Sequence, residues 1–443
     1  MDTEARLAEL SAVAEQAVAH ARALGADQAE AGASLEQGLS VTVRLGEIET
    51  LEHQQDRGLG VTVYCGGRKG SASTADLSSS AVQETVAKAC SIARLTAVDE
   101  CAGLADAALM ATAFPDLGLF HPWALTPEAA AEMALACEAA ALGTDPRLRN
   151  SEGATVHTGG GVRVYANSHG FCAGIPSSYH TLSCVVLAGE DQAMERDYWY
   201  SADRDWRRLA SAEEVGQEAG RRAVRRLGAR RVDTCEVPVL FAPEVARGVF
   251  GHLVAGLRGT AQYRQASFLL DAVGQRVFPD WLRIEEQPHL PGALGSAAWD
   301  NEGVATRSRA LVDGGEIQGY LLSSYSARKL GLQTTANAGG VHNLLVEPSG
   351  GDQPALLEQM SRGLLVTELM GQGVNIVTGD YSRGAAGFWV EDGELAWPVS
   401  EITIAGTLPE MFAGVLATGS DVDARGVIRC GSLLLERMTV AGH

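Results

Sequence analysis

The chain has 443 residues, 35 Lys and Arg against 55 Asp and Glu, a formal net charge of −20 and a sequence pI near 4.9. Hydrophobic residues make up 46% and charged residues 20%, an ordinary globular composition that excludes disordered and fibrous classes, with enough chain for several domains. A surface this acidic repels phosphate, so neither nucleic acid nor an anionic membrane is an expected partner.

Met1-Asp2-Thr3-Glu4-Ala5 lacks the basic and apolar regions of a secretory signal, and no uncharged apolar run is long enough to span a bilayer. The expected location is cytoplasmic. The eight cysteines include no Cys-x-x-Cys pair, so they read as small buried hydrophobes and not as a zinc or disulfide framework.

Residues 3–24 carry Leu7, Leu10, Val13, Ala14, Ala17, Val18 and Ala21 at helical spacing, with Asp2 or Thr3 as N-cap and Gly25 beyond the end. Four strand-like segments are expected next, among them Val41 to Leu45, Ile48 to Gln55 and Val61 to Cys65, followed by a helix over about 79–95. After a connector rich in Ala, Gly and Pro, Thr126-Pro127 opens another helix. Strands follow around Thr155, Val162 to Tyr165, Thr181 to Leu187 and Met194 to Tyr200, and a helix begins at the capping box Ser211-x-x-Glu214. Helix, strands, helix thus occurs twice, and Ala141-Leu142-Gly143 echoes Ala23-Leu24-Gly25, a weak signal of duplication. Gly159-Gly160-Gly161 lies between strand-like segments and does not open a helix, so it is a poor phosphate loop. Arg221, Arg222, Arg225 and Arg226 follow Glu213, Glu214 and Glu218 on one helix, an order that suits the helix dipole and reads as a solvated face or a subunit contact.

From Val237 the texture changes to short β-branched runs punctuated by glycine: Val237 to Phe241, Arg307 to Val312, Ile317 to Leu322, Leu364 to Leu369, Gly387 to Val390, Ile402 to Ala405 and Val427 to Leu435. Helices are expected at Pro243 to Leu257, Pro354 to Ser361 and Pro409 to Leu416. The expected fold class is α+β: helix-flanked antiparallel-sheet domains over 1–115 and 116–232, the second a possible repeat of the first, then a β-rich domain over 233–443.

Several segments of that last domain carry a family likeness. They are Gly248-Val249-Phe250-Gly251-His252-Leu253-Val254-Ala255-Gly256, Tyr263-Arg264 with Ser267 to Asp271, Phe278 to Trp281, Ile284-Glu285-Glu286 with Pro288-His289, Asp300 to Val304, Ser324 to Leu332, Ala338 to Asn343, and Cys430-Gly431-Ser432. The chain resembles the TldD/PmbA (peptidase U62) family of bacterial metalloproteases, and within it the PmbA branch, also called TldE. Catalytic TldD-type chains of that family carry His-Glu-x-x-x-His on a helix, two histidines five residues apart to hold zinc and a glutamate to activate water. Here the three positions are Gly251, His252 and Gly256, and Cys430 stands in a context comparable to the family's third ligand.

The resemblance therefore implies a non-catalytic subunit with no cofactor of its own. A TldD-type partner would supply zinc and the base, and the complex would cleave unfolded or peptide substrates, including maturation of a peptide toxin and degradation of an antitoxin. Two alternatives stand beside it. One is an autonomous homodimeric protein that binds peptides without hydrolysis. The other is an independent hydrolase using Ser326 and Lys329, whose Ser-x-x-Lys spacing sets a nucleophile beside a base. Tyr263, Arg264, Ser326, Arg328, Lys329 and His342 are the candidates for facing a partner or substrate. Glu285-Glu286 with His289 reads as a polar loop.

Overall fold

The computed structural model describes residues 2–190 and 193–442. Helix α1 (Thr3–Ala23) starts where the Asp2 carboxylate accepts a hydrogen bond from the Ala5 N–H, and the chain turns out of it through Gly25 at φ 91°. Then come β1 (Gln28–Arg44), β2 (Glu47–Cys65), β3 (Arg68–Thr74) and α2 (Ser79–Leu95). The four short strands expected here are three, two of them long. The separate segments at Ile48 and Val61 fuse into β2, whose first half is exposed on both faces and so shows no apolar alternation to read.

The second unit repeats this order with α3 (Pro127–Leu142), β4 (Leu148–Asn167), β5 (Cys172–Ala188), β6 (Glu195–Asp203) and α4 (Ala212–Arg225). Thr126 caps α3, and Ser211 and Glu214 form the reciprocal capping box of α4. Gly159 to Gly161 lie inside β4, joining the two segments expected on either side of them.

All six strands form one antiparallel sheet in the order β3-β2-β1-β4-β5-β6, with the first strands of the two units side by side at its centre. The helices lie on one face. α1 and α2 cover one half around Leu10, Ala14, Val61, Val63, Val86 and Val164; α3 and α4 cover the other around Val41, Ala134, Val156, Cys184 and Val215. Four of the eight cysteines are buried.

The C-terminal part contains β7 (Cys235–Phe241), α5 (Pro243–Leu257), α6 (Gly259–Tyr263), β8 (Ile284–Glu286), β9 (Arg309–Asp313), β10 (Glu316–Ile317), α7 (Ser324–Leu330), β11 (Leu344–Val346), α8 (Gln353–Met360), β12 (Gly363–Met370), β13 (Asp380–Glu391), β14 (Glu394–Thr407), α9 (Leu408–Ala413), β15 (Val415–Thr418), β16 (Ile428–Arg429) and β17 (Leu433–Ala441). Strands β14-β13-β12-β7-β17 close on themselves because β17 also pairs with β14, giving a small barrel with β15 attached to β17. A second sheet, β10-β9-β8-β11-β16, lies beside it. The apolar stripe of α5, with Val249, Phe250, Leu253 and Leu257, completes a core with Phe241, Val366, Ile404 and Phe412. Two expected strands differ. Ile317 to Leu322 is strand only at Ile317, and Val427 to Leu435 is broken at Cys430 to Ser432, where Gly431 passes within backbone contact of Gly419.

Of the arginines on α4, Arg221 is exposed beside Glu218, as a solvated face would have it, but Arg222, Arg225 and Arg226 have partners elsewhere in the chain. These three join the N-terminal sheet to the C-terminal part of the same chain. Arg222 Nη2 lies 2.5 Å from Glu244 at the start of α5, and its Nε is 3.6 Å from Asp197 on β6. Arg226 pairs with Glu368 on β12 and with Glu195 and Asp197 on β6. Arg225 stacks on Phe388 and Arg230 on Trp397, while Arg425 reaches back over Trp199 and Tyr200. The acidic partners sit on remote strands and at the start of α5, which the local Glu-to-Arg order on the helix does not disclose.

Candidate functional site

Helix α5 holds Gly251, His252 and Gly256, the positions that the family resemblance sets against a zinc motif. Gly251 has no atom within 4 Å of where a Cβ would stand, and neither has Gly248 one turn before it, so this side of the helix is open. Gly256 is enclosed, since its Cβ would lie 3.0 Å from both Leu269 Cδ1 and Phe268 Cε1. His252 turns its ring edge-on to Tyr381 of β13, with centroids 5.9 Å apart, and burial and the nearby Arg383 charge lower its pKa. Cys430 is 1% exposed, and burial pushes its thiol above the usual range. Among the described residues no group of three or more His, Cys, Asp or Glu is placed to hold a metal ion. The residues present do not fit a zinc site.

The α6–α7 candidates are committed within the chain. Ser323 caps α7, and Gly331 ends it in the left-handed conformation. Tyr325 donates to Asp99 at 2.7 Å and Lys329 Nζ lies 2.9 Å from the same carboxylate, which their bonds hold at about 2. Arg328 donates to the carbonyls of Cys101 and Gly103 at 3.1 Å and to that of Leu104. Tyr263 packs against Tyr325, and the Arg264 guanidinium lies over Tyr263. Arg328 and Lys329, though exposed, thus clamp the connector between the first two units.

The same geometry removes the serine–lysine reading. Ser326 Oγ is buried and donates to the Ser323 carbonyl, while Lys329 is engaged with Asp99, which raises its pKa and keeps it protonated. His342 is structural, with its N–H on Glu286 and its Nε2 3.0 Å from the Ala336 carbonyl oxygen. Glu286 is buried and bound by Arg309 and Asn337, so Glu285-Glu286 is not the loop expected but the strand β8. His289 Nε2 pairs with Thr306.

One surface escaped the sequence reading. Cross-strand register sets Gly38, Gly159 and Gly161 together on the helix-free face of the six-stranded sheet, leaving an open depression of about 380 Å³ edged by Glu36, Gln54, Asp56, His157 and Tyr179. A Cβ on Gly161 would stand 2.4 Å from the Leu35 carbonyl. Arg204 borders the depression and donates to the carbonyls of Ala293 and Leu294, fixing a C-terminal loop beside it. On the opposite face Phe120, Trp123 and His180 line a hollow of about 550 Å³ between the two helix pairs. The three-glycine run was the visible signal, but strand register was needed to give it a face.

Profiles described as PmbA/TldA metallopeptidase domain 1, central domain and C-terminal domain match residues 29–93, 120–227 and 234–442. The chain is 48% identical over 434 residues to the Metalloprotease PmbA of Escherichia coli O157:H7, covering 97% of this chain and 96% of that one. It is 48% identical to a Metalloprotease PmbA homolog of Haemophilus influenzae, covering 94% and 93%. A Bacteroides thetaiotaomicron crystal structure described as a candidate modulator of DNA gyrase superposes with a TM-score of 0.92 at 29% identity, covering 97% of this chain and 98% of that one. TldE of Thermococcus kodakarensis shares the fold, with a TM-score of 0.82 at 20% identity and coverage of 97% and 99%. No helix among the described residues is long and apolar enough to cross a membrane. These likenesses span the chain from the first sheet to the last strand, and the chain belongs to the PmbA/TldD metallopeptidase family.

Proposed function

We propose that this chain is the non-catalytic, PmbA/TldE-type subunit of a cytoplasmic metalloprotease. A TldD-type chain would supply zinc, the general base and the cysteine ligand, and the pair would cleave unfolded or extended peptides. The observation that carries the reading is the state of α5. Glycine replaces both nitrogen ligands, one of those positions has no room for an imidazole without repacking, and His252 is turned to Tyr381. A folded relative of a metalloprotease that lacks the ligands is most useful as the half that shapes and feeds the other's site. Strand edges and the glycine depression offer backbone and polar groups to an extended chain, which gives broad sequence tolerance and rejects folded proteins.

The test is reconstitution. This chain and a TldD-type chain are purified separately and together, and hydrolysis of an unfolded protein is followed with and without chelator. The expected outcome is coelution in a stoichiometric complex, chelator-sensitive hydrolysis by the pair and none by this chain alone. Hydrolysis by this chain alone, or about one zinc per chain lost on Cys430→Ala, would overturn the proposal.

A further inference from the structure

Tyr381 is 2% exposed and its hydroxyl has no hydrogen-bond partner among the described residues. Arg383, two residues along β13 and so on the same face of the strand, has a buried Nε that is equally unpartnered. No carboxylate among the described residues pairs with its guanidinium, whereas Arg226, Arg309 and Arg425, and Arg222 whose Nε is also unpartnered, are mostly buried and have acidic partners. Buried donors left unmet are rare in a native protein, and two side by side mark a place built for something else. His252 meets Tyr381 edge-on, and Gly248 and Gly251, one turn of α5 from each other and beside His252, leave the space above the helix open.

We propose that Arg383, Tyr381 and His252 form a carboxylate-binding site on the open side of α5, and that its ligand is a carboxylate of a peptide. The guanidinium is a donor only and the protonated phenol can donate beside it, so the complement of the pair is an oxyanion. Burial raises the Tyr381 phenol to about 12, with Arg383 partly opposing it, so the hydroxyl keeps its proton to donate. With His252 held neutral the site carries one fixed positive charge, which matches a single carboxylate better than a phosphate dianion. The inference rests on the peptide-handling reading only for what carries the carboxylate.

The test uses the isolated full chain without partner or metal, so its outcome does not depend on protease activity. The probes are N-acetyl trialanine with a free C-terminus, its C-terminal amide, and the amide with glutamate at the middle position. Affinity is read by titration, and the His252 imidazole resonances report the place of binding. The free acid, the glutamate amide or both bind at least tenfold tighter than the neutral amide and shift His252; which of them does so tells a chain terminus from a side chain. Arg383→Gln loses at least tenfold, Tyr381→Phe several-fold, and Arg383→Lys retains part of the affinity. Equal binding of acid and neutral amide overturns the site. So does unchanged acid binding in Tyr381→Phe, a variant that deletes one oxygen and keeps the packing should Arg383→Gln fail to fold.

Discussion

At the scale of single residues, two glycines five residues apart on α5 have opposite surroundings. Gly251→His enters open space, and its expected cost is that of a helix-surface change. Gly256→His drives a side chain into Leu269 and Phe268 and is expected to destabilise by about 1–3 kcal/mol, the usual range for overpacking. Urea midpoints of the two variants check this, and equal midpoints would contradict the enclosure of Gly256. A pH effect belongs at the same scale. Asp300 accepts bonds from the N–H groups of Glu302, Val304 and Ala338, yet burial and then the Glu302 charge raise its pKa to about 7. A folded-state value above the unfolded one means that its contribution is complete below pH 3.8, declines as pH rises and is lost by about pH 7. Between pH 5 and 7 the wild type should lose stability relative to Asp300→Asn by on the order of 1 kcal/mol per pH unit. Parallel urea profiles for the two proteins would refute the assignment.

At the scale of elements, α4 and α7 each fasten parts of the chain remote in sequence. Arg226 stands between Glu195, Asp197 and Glu368, and removing it leaves Glu195 and Glu368 with an uncompensated charge and Asp197 with Arg222 alone. Arg226→Met should cost about 3–5 kcal/mol, the range for breaking a buried ion pair from one side. The restoring experiment is Arg226→Met with Glu368→Leu, which should recover part of the loss; no recovery in a double-mutant cycle would deny the pairing. The α7 clamp predicts a different symptom. Arg328→Ala frees the carbonyls of Cys101, Gly103 and Leu104 without touching either sheet, so the 96–105 connector should be cut faster by added protease while the global urea midpoint changes little. An unchanged cleavage pattern would show that the connector is held by other contacts.

At the scale of the whole molecule, the two α-βββ-α units share one sheet, and the barrel is tied to that sheet by the arginines of α4, the α7 clamp and Arg204. Ser326 and Lys329 are parts of that fastening, not of a reacting pair. Ser326→Ala in the reconstituted complex should therefore leave the chelator-sensitive rate within a few-fold. A drop of about a thousandfold, or ~4 kcal/mol in barrier, with assembly retained would restore a catalytic role to the serine.

The helix boundaries of the first two units were written in local chemistry. Asp2, Thr126-Pro127 and the Ser211–Glu214 box act on backbone groups within four residues, so a sequence determines them by itself, as it does the presence of glycine at 251 and 256. Apolar alternation likewise disclosed most strands, but not the first half of β2, which has no buried face to enforce it. What only the tertiary structure decided are pairings between distant segments: Arg226 with Glu368, Lys329 with Asp99, and His252 beside Tyr381 and Arg383. A charged or aromatic side chain looks the same in sequence whether it meets water, a partner or its own chain. Its role follows from which remote group the fold brings within a few ångströms, and from whether that group leaves a buried donor satisfied or waiting.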